Sequence, residues 1–428
     1  MTPGAGLVLP DADGGPSEVA RLYARYLAGC YQRFFELGTR LPENYRNDHR
    51  RSLELVQLAW GRERRQMLAC FASPTIGTPL HCAGLRDRLP ELADRIEAAT
   101  RQIIPHLMLE MSLRRLLREG ETFAWRHRPT ALTSLSAGYE LRPPAGSDGL
   151  CFANGALQAL RGEQVLAATT LPPTPAPPAS AAEFEIVRRY WRGDGARLAE
   201  VDGNPIAAFE AHPDKSGNHV DLGGRSAGEW LAMTDSCFRL IGEFLPGERA
   251  EMATLLHQLV PVGYDETRHL SASYREAVGT VYLTLHPNVM TMTEALIHEF
   301  QHNKLNVASY SMAFLRNAFE PLYRSPIRPD PRPLWGILLA VHAFLPVAEL
   351  YRRMRAAEHP LSRQKGFDER LDDIDLKNHE GMEMLRHNAQ LTPAGEALMA
   401  ALERLAQQHL ADRRARGLGL TPTDVHLG

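Results

Sequence analysis

Two histidines four residues apart, His298 and His302, with Glu299 directly after the first, constrain this chain more than any other feature. Four residues is close to one turn of α-helix, so a helix stacks both imidazoles on one face. Thr291 and Glu294 have capping-box spacing, which predicts a helix that begins there and runs to about Asn306. Leu296, Ile297, Phe300 and Leu305 put apolar side chains around the pair, so the helix is expected to lie against a core. The expectation is one metal ion gripped by His298 and His302, with Glu299 beside it.

The rest of the chain supplies a mostly helical frame. Residues 16 to about 125 carry apolar side chains at helical spacing, among them Val19, Leu22, Tyr23, Tyr26 and Leu27. Between about 130 and 225, Pro, Gly and Ser rise and short strand-like runs appear. Residues 183 to 191 read as a strand, Asp202-Gly203 as a hairpin turn, and residues 171 to 182 as a Pro/Ala linker. Helix resumes near Ala227, with a second helix predicted over 248 to 259. One or two strands follow over 271 to 286, and a long apolar helix over 334 to 354, kinked near Pro346. The expected fold is predominantly α (α+β). It divides into a helical region 1–128, a β-containing segment 129–225 and a helical region 226–428 carrying the histidine helix.

Composition narrows the class. The 428 residues are 44% hydrophobic and 23% charged with a formal net charge of −3, the balance of a soluble globular protein and not of a basic nucleic-acid binder. No run of about 18 apolar residues stands out, so no membrane span is expected. The N-terminal residues lack a secretory signal pattern. Cys30, Cys70, Cys82, Cys151 and Cys237 are odd in number and widely spaced, which reads as reduced thiols in a cytoplasmic protein.

Two ligands seldom hold a catalytic metal alone, so a third is expected from elsewhere. His342, set among apolar neighbours in the 334 to 354 helix, is the first candidate and Glu349 the runner-up; His269, His286 and Glu320 are further options. His379-Glu380-x-x-Glu383 reads as surface. His49, His81, His106 and His127 read as surface or core histidines. Two chemistries suit the motif. A zinc peptidase would use Glu299 as general base toward a metal-bound water. A non-haem iron oxygenase would take two histidines and a carboxylate, or three histidines, and keep the remaining positions open. Spacing alone leaves both open.

Residues 293 to 305 (TEALIHEFQHNKL), Asp330-Pro331-Arg332-Pro333 and the apolar helix after them resemble the H-E-x-x-H peptide-modification family associated with ribosomally made peptide natural products. Some of its members are 2-oxoglutarate-dependent peptide β-hydroxylases. The resemblance covers roughly residues 265 to 355. It implies an Fe(II) site on a helical scaffold, not a jelly roll, and a precursor peptide as substrate. It also implies 2-oxoglutarate as co-substrate, whose distal carboxylate needs a cation. Arg332 is the first choice, then Lys304 and Arg275, with Ser271, Ser273 and Tyr274 adding hydrogen bonds. Glu299 would then be a ligand or sit behind one. Some relatives carry an aromatic residue at the position of His342 and a histidine where this chain has Phe344. A zinc metallopeptidase and a non-catalytic helical module for a leader peptide are the alternatives.

Overall fold

Ser17 starts the first helix by accepting the Val19 amide. Val19, Leu22, Tyr23, Tyr26, Cys30 and Phe34 then recur at helical spacing and bury one side of α1 (Glu18–Glu36). The structure, a computed structural model, describes residues 4–10, 17–174, 183–207, 219–324 and 330–419. Much of the expected linker, 175–182, lies outside the described residues, as do 1–3 and 11–16 of the N-terminal segment. Helices α2 (Glu43–Arg62), α3 (Arg64–Phe71), α4 (Pro74–Cys82) and α5 (Ala93–Leu113) complete the first helical part. Residues 103–112 of α5 are buried all round, which makes it a core helix.

Short strands follow: β1 (Phe123–Trp125), β2 (Leu132–Ser134), β3 (Tyr139–Arg142), β4 (Gly149–Ala153), β5 (Ala156–Arg161), β6 (Gln164–Thr170), β7 (Glu185–Arg188), β8 (Tyr190–Trp191) and β9 (Arg197–Ala199). They form an antiparallel sheet β1-β4-β5-β6 and a smaller one, β2-β3-β7. Tight two-residue hairpins fall at Asn154-Gly155, where Gly155 has φ +66 and Ala153 pairs with Ala156, and at Gly162-Glu163, where Arg161 pairs with Gln164. The hairpin expected at Asp202-Gly203 is not there. Asp202 instead accepts the Asn204 amide in a local turn and the Tyr282 hydroxyl, so the chain leaves the sheet after β9.

A true capping box, Ser226 with Glu229, opens α6 (Ala227–Phe244). Next come α7 (Pro246–Leu255), β10 (Gln258–Tyr264), β11 (Ser271–Ala272), β12 (Thr280–Leu285) and α8 (Val289–Ser309). The helix predicted over 248 to 259 stops at Leu255, because Gln258 and Leu259 are taken up between β9 and β12. This mixed sheet runs β11-β12-β10-β9-β8. Central β10 is parallel to β9 and β12, and β11 and β8 are antiparallel edges. All six residues of β12 are buried, and α8 follows it through a short turn.

After α8 come β13 (Leu322–Tyr323), β14 (Arg332–Pro333), α9 (Leu334–Ala356), α10 (Phe367–Asn388) and α11 (Pro393–Ala415). Helix α9 continues through Pro346. Contrary to the expectation from sequence, α9 is long and apolar enough to cross a membrane by length and composition. Its apolar window is 67% buried inside the fold, as in the core helix of a globular protein. About 54% of the chain is helical, in eleven α-helices among the described residues, consistent with a mostly α or α+β fold. One contiguous cluster of buried side chains extends from Leu7 to Leu405 and surrounds α8 and α9.

Candidate metal centre

Helix α8 is capped three residues earlier than the capping-box spacing predicts. Asn288 is the N-cap, accepting the Met290 and Thr291 amides at 2.8 and 3.4 Å. Thr291 lies inside the first turn, and Glu294 is free to serve elsewhere. Asn303 fastens the helix to β12: its amide donates to the Thr280 and Glu299 carbonyls and its oxygen accepts the Gly279 amide. That anchor fixes the rotation of α8 and so the direction of its histidines.

His298 and His302 lie one turn apart with ring centres 4.3 Å apart. Donor atoms of His298, Glu299 and His302 all fall within 4.8 Å of one another. Both imidazoles are half-buried and Glu299 is 3% exposed. Strand β11 and the residue after it close over the carboxylate. Ser271 Oγ donates to one Glu299 oxygen and Ser273 Oγ to the other, each at 2.7 Å. His302 Nδ1 stands 3.4 Å from the same carboxylate. Burial pushes the Glu299 carboxyl upward, but His302, the nearby His298 and the Ser271 hydroxyl outweigh it and hold the group well below the usual carboxylate range. Among the described residues, the Nε2 atom of His302 is buried without a hydrogen-bond partner. A bound cation would satisfy that orphan, and two imidazoles with one anionic carboxylate are a donor set suited to a divalent metal.

The other expected ligands lie elsewhere. His342 is fully buried on α9 and its Nε2 donates to the Leu7 carbonyl at 3.0 Å. Burial holds its imidazole well below the ordinary histidine range, and it is not among the converging donors. Two positions along α9, on the opposite side of the helix, Phe344 presents its ring 4.7 Å from that of His298. The α9 residue facing the pair is therefore aromatic. Glu349 is held by Arg353 at 2.7 Å and His409 at 3.1 Å. His286 accepts the Asn288 amide and its ring lies 6.4 Å from that of His269, and Glu320 is exposed.

The expected cations are likewise engaged away from the group. Lys304 is fully buried between Glu248 and Glu251 at 3.0 and 2.8 Å. Arg332 pairs with Asp330 at 2.8 Å, and Arg275 lies over the Tyr310 ring at 4.9 Å. Ser271 and Ser273, expected to assist a co-substrate, orient Glu299 instead. Sequence reasoning missed Arg370, which binds Glu294 through Nε and Nη2 and lies 5.9 Å from the Phe344 ring centre. The one available hint was Glu294 itself, an acid one turn before His298 on the same face. No family model and no curated protein matches this sequence.

Proposed function

We propose that this chain is an Fe(II)- and 2-oxoglutarate-dependent oxygenase that hydroxylates a side-chain β-carbon of a ribosomally made precursor peptide. The observation that carries the proposal is the convergence of His298, His302 and Glu299 within 4.8 Å, with no fourth His, Cys, Asp or Glu in the group among the described residues. Two histidines and one carboxylate on one side of a metal leave open positions for co-substrate and oxygen, the pattern of non-haem iron oxygenases. The resemblance of residues 265 to 355 to peptide-modifying proteins supplies the substrate class. Iron with the keto acid would supply the oxidising chemistry, coupling oxygen activation to decarboxylation.

The chain's own residues bind and orient. His298, His302 and Glu299 would hold the metal. Ser271 and Ser273 fix the rotation of the Glu299 carboxylate by one hydrogen bond to each oxygen. Phe344 covers one side of His298 and keeps water off that face. Five unpaired cysteines suit a reducing compartment such as the cytoplasm.

A zinc peptidase is the second reading, favoured by the placement of Glu299 beside both histidines. It would have that carboxylate take a proton from water through the lone pairs that Ser271 and Ser273 leave free, one hydroxyl being bound to each oxygen. The two readings separate by mass spectrometry of a precursor peptide encoded beside this chain, incubated with enzyme, Fe(II), 2-oxoglutarate and air. A gain of one oxygen atom is expected. Shorter fragments with Zn(II) alone would replace the oxygenase by the peptidase.

A further inference from the structure

Away from α8, a small cavity of about 50 Å³ is enclosed where α9, α10 and α11 pack together. Asp375 and Asn378 of α10 and His409 of α11 are among its walls, and each is 3% exposed. Each keeps a buried atom with no hydrogen bond among the described residues: Oδ1 of Asp375, both amide atoms of Asn378 and Nδ1 of His409. Buried polar atoms are ordinarily paired, so three such side chains around one cavity call for an occupant. We infer that this cavity binds a divalent first-row cation, with His409 Nδ1, Asp375 Oδ1 and Asn378 Oδ1 as its protein ligands and water completing the shell. The site shares no residue with the α8 group and does not depend on the oxygenase reading.

The far side of two of these ligands is already fixed. His409 Nε2 stands 3.1 Å from a Glu349 oxygen. A carboxylate only accepts, so Nε2 carries the hydrogen and Nδ1 of the neutral ring is a bare lone pair. Burial keeps the ring neutral, holding its imidazole below the ordinary histidine range against the pull of Glu349. A histidine that gives its second N–H to a carboxylate is the usual form of a metal ligand. Glutamine at 349 would accept the same hydrogen, so the arrangement needs the acceptor and not its charge. Asp375 is held in the same way. Arg352 Nη2 donates to Asp375 Oδ2 at 2.6 Å and to the His409 carbonyl at 3.1 Å, which ties α9 to both ligands and leaves Oδ1 free. Asn378 follows Asp375 by three residues, so both leave the same face of α10.

Size and charge suit an ion. A water needs roughly 10–15 Å³ of such space, so the cavity takes an ion with a few waters and no organic substrate. Its walls set Asp375, Glu383 and Glu403 against Arg386, and Arg352 behind Asp375 still leaves one negative charge in excess. Among the described residues, His409 and Asp375 belong to no set of three His, Cys, Asp or Glu donors within 4.8 Å of one another, so the Asn378 carboxamide supplies the third ligand. One imidazole with two oxygens and water suits Mn(II) among the divalent ions.

The test uses the full chain, stripped of metal and titrated with Mn(II), the free ion being counted by electron paramagnetic resonance. The parent should bind one ion in the α8 group and one here. His302→Ala should lose the first and keep the second, whose spin-echo spectrum should carry a single imidazole nitrogen. In that background His409→Ala should erase the nitrogen signal, and Asn378→Leu should weaken the remaining ion by at least about tenfold. Leucine keeps the branched shape of asparagine and gives up no hydrogen bond to the described residues, so Asn378→Leu should fold even if His409→Ala does not. A His302→Ala chain that binds no Mn(II) overturns the inference, makes the cavity a water site only and leaves the α8 group standing. An ion without the nitrogen signal, or one held as tightly in Asn378→Leu, overturns it as well. A parent that binds a single ion, kept in His302→Ala and weakened by Asn378→Leu, supports this site and removes the metal from the α8 group.

Discussion

One face of α8 carries His298, Glu299 and His302; the opposite face carries Lys304, wedged between Glu248 and Glu251 of α7. Both are ionic clusters on a single helix, and they differ in what answers the carboxylates: a fully buried ammonium on one face, half-buried imidazoles and serine hydroxyls on the other. Lys304 meets both carboxylates and the Val8 carbonyl, Gln301 donates to that same carbonyl, and Ser17 donates to Glu251. Its charge is spent inside the protein. Across the helix, His302 keeps a buried nitrogen with no partner among the described residues, and the two imidazoles are half-open to their surroundings. Among the described residues, Glu248 Oε2 and Gln301 Oε1 lack hydrogen-bond partners on the Lys304 side as well, so the faces differ in charge and exposure: an ammonium already sits between the carboxylates of one cluster, whereas an anionic carboxylate beside two half-buried imidazoles is where a cation would go in the other.

The largest effect should come from breaking the closed cluster. Lys304→Met strands two carboxylates in the core, and removing one partner of a buried pair costs about 3–5 kcal/mol. Burial already pushes Glu248 up to about 7 despite Lys304, so the variant can recover part of that loss only by taking up a proton. Denaturant unfolding of metal-free protein at neutral pH measures the loss. A change below about 1 kcal/mol would mean that the cluster is not what holds α7 to α8.

A middle-sized effect should come from filling the open side of the other cluster. Phe344→His places an imidazole where the aromatic ring now meets His298. A third nitrogen ligand should tighten Zn(II) by about tenfold, roughly 1.4 kcal/mol, and take one of the positions the reactants need. Competition against a chelating dye reads the affinity. Unchanged affinity would show that position 344 does not look onto the metal.

The contrast between the two faces also explains what was legible in the sequence. The helix, the stacked histidines and the mostly α frame are local and periodic, and the 3.6-residue repeat reports them. Partners were not legible. Lys304 looks like any charged residue on an amphipathic helix until Glu248 arrives from 56 residues away, and Arg370 meets Glu294 across 76. The choice between His342 and Phe344 turned on which side of α9 faces α8, and an all-round apolar helix gives no periodic signal for that. Asn288 displaced the expected Thr291 cap because its carboxamide accepts amides directly at the turn after β12.

The smallest effect should follow Glu349→Gln, and its smallness is informative. A ligand role for Glu349 predicts loss of metal on this substitution. The structure has its carboxylate accepting from Arg353 and His409 instead, and that pairing holds its carboxyl below the usual range against the opposing pull of burial. Glutamine keeps the length and one acceptor oxygen, so the Arg353 contact weakens without leaving a cavity. Arg353 is half-exposed, which limits the pair to about 1 kcal/mol or less. Metal affinity measured by the same dye competition should stay within about twofold, a shift of about 0.4 kcal/mol. A tenfold loss would bring Glu349 into the metal group, break the division between the two faces of α8, and require α9 to turn about its axis when metal binds.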